Sequence, residues 1–217
     1  YTNIAQMLPF INTTNVPDLG QILVPSAAPD TATTTQDLPV AVSVAANDGG
    51  FDSPVTVAIV TPPANGAAAV NGSPGAASSI SVTYTPGAGF VGWDSLVYSV
   101  TDGVSSDTAT LTLAVLPDAD HDGVFDGQDN CSNDANASQL DADGDGYGNL
   151  CDADLNNSGF VTTADFAVML SVLGQSPAAS PTAAAADLNG SGWVTSTDFA
   201  ILRNRLNAVP GPSGLHP

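Results

Sequence analysis

Acidic side chains form the pattern in this sequence that is best suited to chemistry. All 22 acidic residues are Asp, and the chain contains neither Glu nor Lys. Most of them fall within four twelve-residue windows, at residues 118–129, 141–152, 154–165 and 187–198. Every window has Asp at position 1, Asp or Asn at position 3, Asp or Ser at position 5, Gly at position 6 and Asp at position 12. Oxygen-bearing side chains at these spacings are typical of a calcium-binding loop.

This spacing suits calcium because the cation takes about six to eight oxygen ligands in a flexible cage. Positions 1, 3 and 5 supply side-chain oxygens, position 7 a backbone carbonyl, position 9 a side chain and position 12 a carboxylate. Isolated turns rich in Asp, Asn and Gly would not repeat this order four times, so we predict about four bound calcium ions. The predicted ligands are Asp118, Asp120, Asp122, Val124, Asp126 and Asp129 in loop 1; Asp141, Asp143, Asp145, Tyr147, Asn149 and Asp152 in loop 2; Asp154, Asn156, Ser158, Phe160, Thr162 and Asp165 in loop 3; and Asp187, Asn189, Ser191, Trp193, Thr195 and Asp198 in loop 4.

Loops 3 and 4 are each followed by apolar residues at helical spacing. We predict helices over residues 163–173 and 196–206, and Gly174 suits the end of the first. The predicted apolar faces consist of Phe166, Met169, Leu170 and Leu173 in the first helix, and of Phe199, Leu202 and Leu206 in the second. The sequence therefore predicts a small helical pair of EF-hand type.

The N-terminal half has a different pattern, in which short runs alternate apolar and small polar residues between Gly, Pro and Asn. Seven such runs in succession predict a β-sandwich of immunoglobulin type. The predicted strands are residues 31–35, 40–45, 55–60, 67–70, 80–85, 95–101 and 108–116. The predicted core residues are Val42, Val44, Val57, Ile59, Val82, Tyr84, Leu96, Tyr98, Val100, Leu111, Leu113 and Val115.

Loops 1 and 2 lie within a longer motif. It reads DADHDGVFDGQDNC and continues through Asn136 and Gln139 to DADGDGYGNLCD. This segment resembles the thrombospondin type-3 repeat, which wraps the chain around calcium with little apolar core; Ser132 stands where that family usually has Pro. The resemblance implies a disulfide between Cys131 and Cys151, and such a pair indicates an oxidising compartment.

Loops 3 and 4 share the motif D-x-N-x-S-G-[FW]-V-T-x-x-D-F-A, repeated 33 residues apart. The duplication resembles the type I dockerin, which implies two bound calcium ions and docking to a cohesin-like module. Two features depart from that family. We expect residues 176–186 (SPAASPTAAAA) to replace its usual short connecting helix, and basic residues of the docking face occur only in the second repeat, as Arg203 and Arg205.

The sandwich segment contains TPPANG, SVTYTPGAGFVGWDSLVYSVTDG and an AND triplet at residues 46–48. These phrases resemble the cadherin-like repeats of bacterial surface proteins. Several polar residues of the segment would either bind a further cation or cap turns, as Asn and Asp commonly do. They are Asp30, Asn47, Asp48, Asp94 and Asp102.

We predict five segments: a leader (residues 1–27), the cadherin-like sandwich (28–117), the thrombospondin-type module (118–153), the dockerin-like module (154–208) and a tail (209–217). The leader has no basic stretch followed by a long apolar core, so we expect neither a retained signal peptide nor a membrane span. Its apolar clusters at residues 7–11 and 21–24 would supply an extended strand to a neighbouring copy.

Composition argues against several classes of function. A formal net charge of −20 disfavours nucleic acids and anionic membranes as partners. His121, inside loop 1, and His216, near the end of the sequence, are the only histidines. They leave no nucleophile–base set away from the calcium loops, so we expect a non-enzymatic extracellular protein, secreted or at the cell surface. Trp93 and Trp193 would either stack on sugars or fill an interface.

Two functions remain open. The one that we predict first is a calcium-stabilised structural subunit that self-associates into a surface or matrix filament. The other is an adapter whose dockerin-like end attaches the sandwich to a cohesin-like partner. The complete duplication favours the adapter, whereas the incomplete basic face favours the filament.

Overall fold

Two β-sheets form the N-terminal half of the protein. The computed structural model describes residues 23–51 and 54–216. One sheet has four strands in the order β1-β7-β6-β3, and the other has three in the order β2-β5-β4. The strands are β1 (Asp30–Thr35), β2 (Val40–Val42), β3 (Thr56–Thr61), β4 (Gly66–Asn71), β5 (Ser81–Pro86), β6 (Gly92–Thr101) and β7 (Ser106–Leu116).

Strand pairing is antiparallel except between β1 and β7, which run parallel with Asp30 opposite Leu111. Each predicted strand coincides with an observed one, but β2 is shorter than predicted because residues 43–46 form a turn in which Ala46 N donates to Ser43 O. Period-two alternation puts the inward residues of both sheets into one core. Ten of the twelve predicted core residues are buried, while Val42 and Ile59 are only half-buried.

The C-terminal half begins with residues 117–162, which contain neither helix nor strand among the described residues. Three helices follow: α1 (Thr163–Val172), α2 (Pro181–Ala186) and α3 (Ser196–Asn204). Their small core includes Met169, Val172, Ala183 and Leu202. None of the described helices combines the length and apolar composition of a membrane-spanning segment.

Two predictions about this half are wrong. Residues 176–186 do not replace a connecting helix, because α2 lies within them: Ser180 caps it, Pro181 begins it, and the alanines that follow favour helix. The predicted apolar faces are also displaced. Leu170 and Leu173 are exposed, since the buried stripe of α1 runs through Asp165, Met169 and Val172. Leu206 is also exposed, because α3 ends at Asn204.

The predicted leader strand lies almost wholly in residues 1–22, outside the described residues. Its proposed pairing with a neighbouring copy therefore stays a prediction.

Candidate metal centres

One hydrogen bond recurs in all four loops. The backbone N–H of the position-6 glycine donates to the position-1 carboxylate: Gly123 to Asp118 and Gly146 to Asp141 at 3.0 Å, Gly192 to Asp187 at 2.7 Å, and Gly159 to Asp154. The four glycines have φ between 90° and 95°, a region that favours glycine. The invariant glycine therefore fixes the coil that brings the ligand positions together.

Loops 1 and 2 gather carboxylates as predicted. The ligand oxygens of Asp118, Asp120 and Asp122 lie within 4.8 Å of one another, and so do those of Asp141, Asp143 and Asp145. In both loops the position-9 side chain turns back to the position-2 amide. Ala119 N donates to Asp126 at 2.7 Å, and Ala142 N donates to Asn149 at 2.8 Å.

Loop 1 contains three carboxylate oxygens that are buried and accept no hydrogen bond from the described residues. They belong to Asp118, Asp120 and Asp129. Asp118 and Asp129 are each only 1% exposed. A buried carboxylate without a donor or a cation is costly, and no Lys or Arg lies in this loop. The donor set of loop 1 therefore fits a hard cation such as calcium.

Loops 3 and 4 position their carboxylates through the helices that follow them. Thr162 and Thr195 cap α1 and α3, and the residue three positions later closes each capping box. Asp165 accepts bonds from the backbone N–H and hydroxyl of Thr162, and Asp198 does the same from Thr195. Both aspartates are fully buried. The residues at ligand positions 9 and 12 are thus also the N-cap and a first-turn residue of the helix that follows.

The two helical repeats are joined by matching pairs of backbone bonds. Val161 of loop 3 pairs with Asn207 and Ala208 after α3, at 2.8 and 2.9 Å. Val194 of loop 4 pairs with Gly174 and Gln175 after α1, both at 2.8 Å. Each loop therefore supports the end of the other repeat's helix.

In loops 3 and 4 the predicted ligands at positions 5 and 7 also lie close together. The hydroxyl of Ser158 lies 3.1 Å from the carbonyl of Phe160, and Ser191 makes the same contact with Trp193. In loops 1 and 2 the position-5 carboxylates of Asp122 and Asp145 instead accept from the position-7 backbone N–H, at 2.8 and 2.9 Å.

Some supporting residues were not among the predicted ligands. Asn136 N donates to Asp122 at 2.7 Å, and the Gln139 amide donates to Asp129 at 2.7 Å. Asn149 was predicted as a ligand, yet its amide also donates to Ala184 O, so it ties loop 2 to α2. The Asn and Gln of the thrombospondin-type motif were the sequence signal for the first two.

Burial raises the pKa of Asp152 to about 7, and the neighbouring carboxylates of Asp145, Asp143 and Asp154 act in the same direction. Burial also raises the pKa values of Asp120 and Asp143, with a further increase from the nearest loop carboxylate. Crowded acids of this kind bind a proton or a divalent cation more readily than they stay ionised alone.

The disulfide between Cys131 and Cys151 is confirmed and closes a separation of 20 residues around loop 2. The segment after α3, residues 208–216, crosses this disulfide and is called the C-terminal strap below. Gly211 N donates to Cys151 O, and Gly214 N donates to Asp129 O of loop 1. The hydroxyl of buried Ser213 donates to Gly146 O of loop 2 at 2.8 Å.

His216 ends the strap by stacking on the ring of Tyr147, with centroids 4.5 Å apart. A second link joins α3 to residues 118–153, where Arg205 binds Asp134 at 2.7 Å. The two modules therefore pack as neighbours through both the strap and α3.

The polar residues of the sandwich behave mainly as turn caps. Asp94 accepts bonds from the backbone amides of Ala64 and Asn65 and from the hydroxyl of Tyr84, and Asp102 accepts from the amides of Val104 and Ser105. The remaining residues, Asp30, Asn47 and Asp48, lie near the buried Tyr98 hydroxyl and the chain at residues 28–29.

Two models of known protein families match parts of this chain. Residues 23–114 match the bacterial Ig domain, and residues 152–207 match the dockerin type I domain. The chain carries a bacterial Ig-like domain and a type I dockerin domain. Dockerin domains of this type bind calcium and dock to cohesin modules. The thrombospondin type-3 resemblance of residues 118–153 stays a prediction.

Other comparisons add less to the Ig-like and dockerin assignments. No curated protein matches the sequence. Among solved structures, an endo-fucoidan hydrolase from glycoside hydrolase family 107 shares 16% identity over 45% of this chain and 14% of its own, with a TM-score of 0.34. A SusE-like surface located polysaccharide binding protein from the Bacteroides thetaiotaomicron heparin utilisation locus shares 16% identity over 44% of this chain and 16% of its own, with a TM-score of 0.31. The chain thus spans a small part of each of these proteins.

Proposed function

We propose that this chain is a non-enzymatic, extracellular adapter in which calcium-loaded loops hold a dockerin domain that attaches the Ig-like domain to a cohesin-like partner. The supporting observation is the pair of loop–helix repeats, whose hydrogen bonds match residue for residue. The residues at ligand positions 9 and 12 form the capping boxes of α1 and α3. Calcium binding at these residues would therefore also fix the start of each helix. Loops 1 and 2 would hold further ions, about four in all with loops 3 and 4.

The charge on α3 defines the docking surface more closely. The chain has two basic side chains, and Arg205 is bound to Asp134 within the molecule. Arg203 is exposed on α3 and has no ion-pair partner among the described residues. Arg203 is therefore the cation that a cohesin-like partner would contact.

The test is a calcium-dependent pull-down of the full chain with a panel of cohesin modules. We expect binding in calcium, loss of binding in EDTA, and a loss of about tenfold in Arg203→Ala, as for an interfacial charge-assisted hydrogen bond. Arg205→Ala is the matched control, because it removes an internal contact. Failure of every cohesin to bind the calcium-loaded chain would refute the adapter.

The size of the particles in solution distinguishes the filament hypothesis from the adapter hypothesis. Its leader strand lies outside the described residues, so no contact in the described part supports it. Light scattering of the calcium-loaded chain at high concentration measures self-association directly. A monomer that captures a cohesin supports the adapter, whereas calcium-dependent polymers lost on deletion of residues 1–27 would replace it with the filament.

A further inference from the structure

The outer face of the four-stranded sheet carries no charged side chain, and the structure describes all of its four strands. Their three aspartates, Asp30, Asp94 and Asp107, stand at alternating positions that point to the inner side. The outward positions are mostly Thr, Ser and Ala. The strands of the other sheet also carry no charged side chain, so both sheets contrast with the acidic loops of the C-terminal half.

A tryptophan stands on this face. Trp93 lies outward on β6, beyond the last residue that pairs with β3, and is 74% exposed. A large aromatic ring gains more than most side chains from burial, so a ring this open on a regular strand is well placed to stack on a ligand.

The hydroxyls around the ring form regular rows. Trp93 pairs with Ala114, which pairs with Thr33 on β1. The next row of outward residues is Ser95, Thr112 and Thr31. Strands are about 4.8 Å apart, and outward residues along a strand are about 6.8 Å apart. The face thus presents rows of donors and acceptors beside one exposed aromatic side chain.

We infer that this face binds a neutral polysaccharide, with Trp93 stacked on a sugar ring and the Ser and Thr hydroxyls bonding to sugar hydroxyls. Protein interfaces are depleted in Ser and Ala, and Ser, Thr and Val are rare at binding hot spots, so the composition disfavours a protein partner. A strongly anionic chain repels sulfated or uronic-acid polysaccharides, whereas a neutral polysaccharide meets no such repulsion.

This activity goes beyond the adapter, because it gives the Ig-like domain a ligand of its own. The face lies on the sandwich, and the cohesin-facing helix α3 lies in the other half of the chain. The two sites therefore fail or succeed independently in experiment.

The test is affinity electrophoresis and sedimentation of the full, calcium-loaded chain with cellulose, xylan, mannan, starch and β-1,3-glucan, and with alginate as the anionic probe. We expect retention by at least one neutral polysaccharide and none by alginate. Trp93→Ala should weaken retention at least tenfold, and Trp93→Phe should keep part of it. Val104→Ala, which truncates an exposed apolar side chain in the turn between β6 and β7, is the control and should bind as the wild type does.

Unchanged melting of the sandwich in Trp93→Ala establishes that the variant is folded. Retention by alginate alone, no retention by any neutral polysaccharide, or equal binding by Trp93→Ala would overturn the inference. A change of oligomeric state in Trp93→Ala without a change in retention would also overturn it, because it would assign the face to a protein interface.

Discussion

The two halves of this molecule differ in how much charge they bury. The Ig-like half buries aliphatic residues and tyrosines between two sheets, and Tyr84 and Tyr98 are fully buried there. The C-terminal half buries carboxylates, among them Asp118, Asp165 and Asp198. Apolar burial stabilises the first half without any ligand. We expect the second half to use bound cations to compensate its buried charge, so that its stability depends on its surroundings.

Removal of calcium by a chelator should have the largest effect, and it should change the melting of only one half. In excess EDTA the C-terminal half should lose its cooperative melting transition, because bound ions at a thousand times their dissociation constant contribute about 4 kcal/mol. The sandwich should melt as before. Calorimetry with and without calcium measures both transitions.

The matched variants are Asp118→Ala and Asp118→Asn. Both remove the position-1 charge, but only Asn keeps an acceptor for Gly123 N. We expect both to lower calcium affinity and Asn to be the milder. Equal melting curves in calcium and EDTA would show that apolar packing stabilises both halves.

Sequence patterns defined the four loops more closely than they defined the packing, for a physical reason, and the individual ligands stay a prediction. Ligand spacing is local, so loop 1 to loop 4 could be placed from the chain alone. Burial of Leu170 and Leu173 depends on which side of α1 faces α2, and a periodicity that fits several stripes does not settle that. The helix α2 was missed although Ser180 and Pro181 form a start signal.

Contacts between distant residues had no sequence signal. Nothing in the sequence around Ser213 or His216 predicts that the strap crosses the disulfide, and Arg205 carried no mark of its bond to Asp134. The strands were predicted because each alternates over its own length, whereas the parallel pairing of β1 with β7 joins residues about 80 positions apart.

Removal of the disulfide measures how much this covalent link adds to the stability that bound calcium gives to the C-terminal half. Replacing Cys131 and Cys151 with Ser should lower the free energy of unfolding of the C-terminal half by about 3 kcal/mol, by the chain-entropy relation for a loop of this length. The melting of the sandwich should not change. Denaturant titration in calcium, with far-UV and near-UV dichroism, measures the loss, and equal loss in both halves would contradict their independence.

The strap should have a smaller effect on the same half. Truncation after Ala208 removes the bonds of Gly211, Ser213 and Gly214 to the calcium loops, worth about 2 kcal/mol in net terms. Ser213→Ala is the matched point variant and should cost about 1 kcal/mol, since it leaves Gly146 O without its donor. Proteolysis of residues 118–152 in limiting calcium should quicken in the same order, and unchanged proteolysis would reduce the strap to a passive tail.

Protonation of the Asp152 carboxyl should partly replace the stabilisation that bound calcium gives to the C-terminal half. The pKa of Asp152 is raised by burial from 3.8 to about 7, so the folded, metal-free state binds its proton more tightly than the unfolded state does. Its contribution to stability is therefore complete below pH 3.8 and is lost as pH rises through 7. Metal-free protein should then be more stable at pH 5 than at pH 8, because at pH 5 only the folded state holds this proton. Asp152→Asn carries no such proton and should flatten part of the pH dependence of thermal melts. With calcium bound the sign reverses, because the ion competes with the proton for the same carboxylate. A metal-free protein that gains stability from pH 5 to pH 8 would show that ionised carboxylates are accommodated without a cation, and the contrast between the halves would then fail.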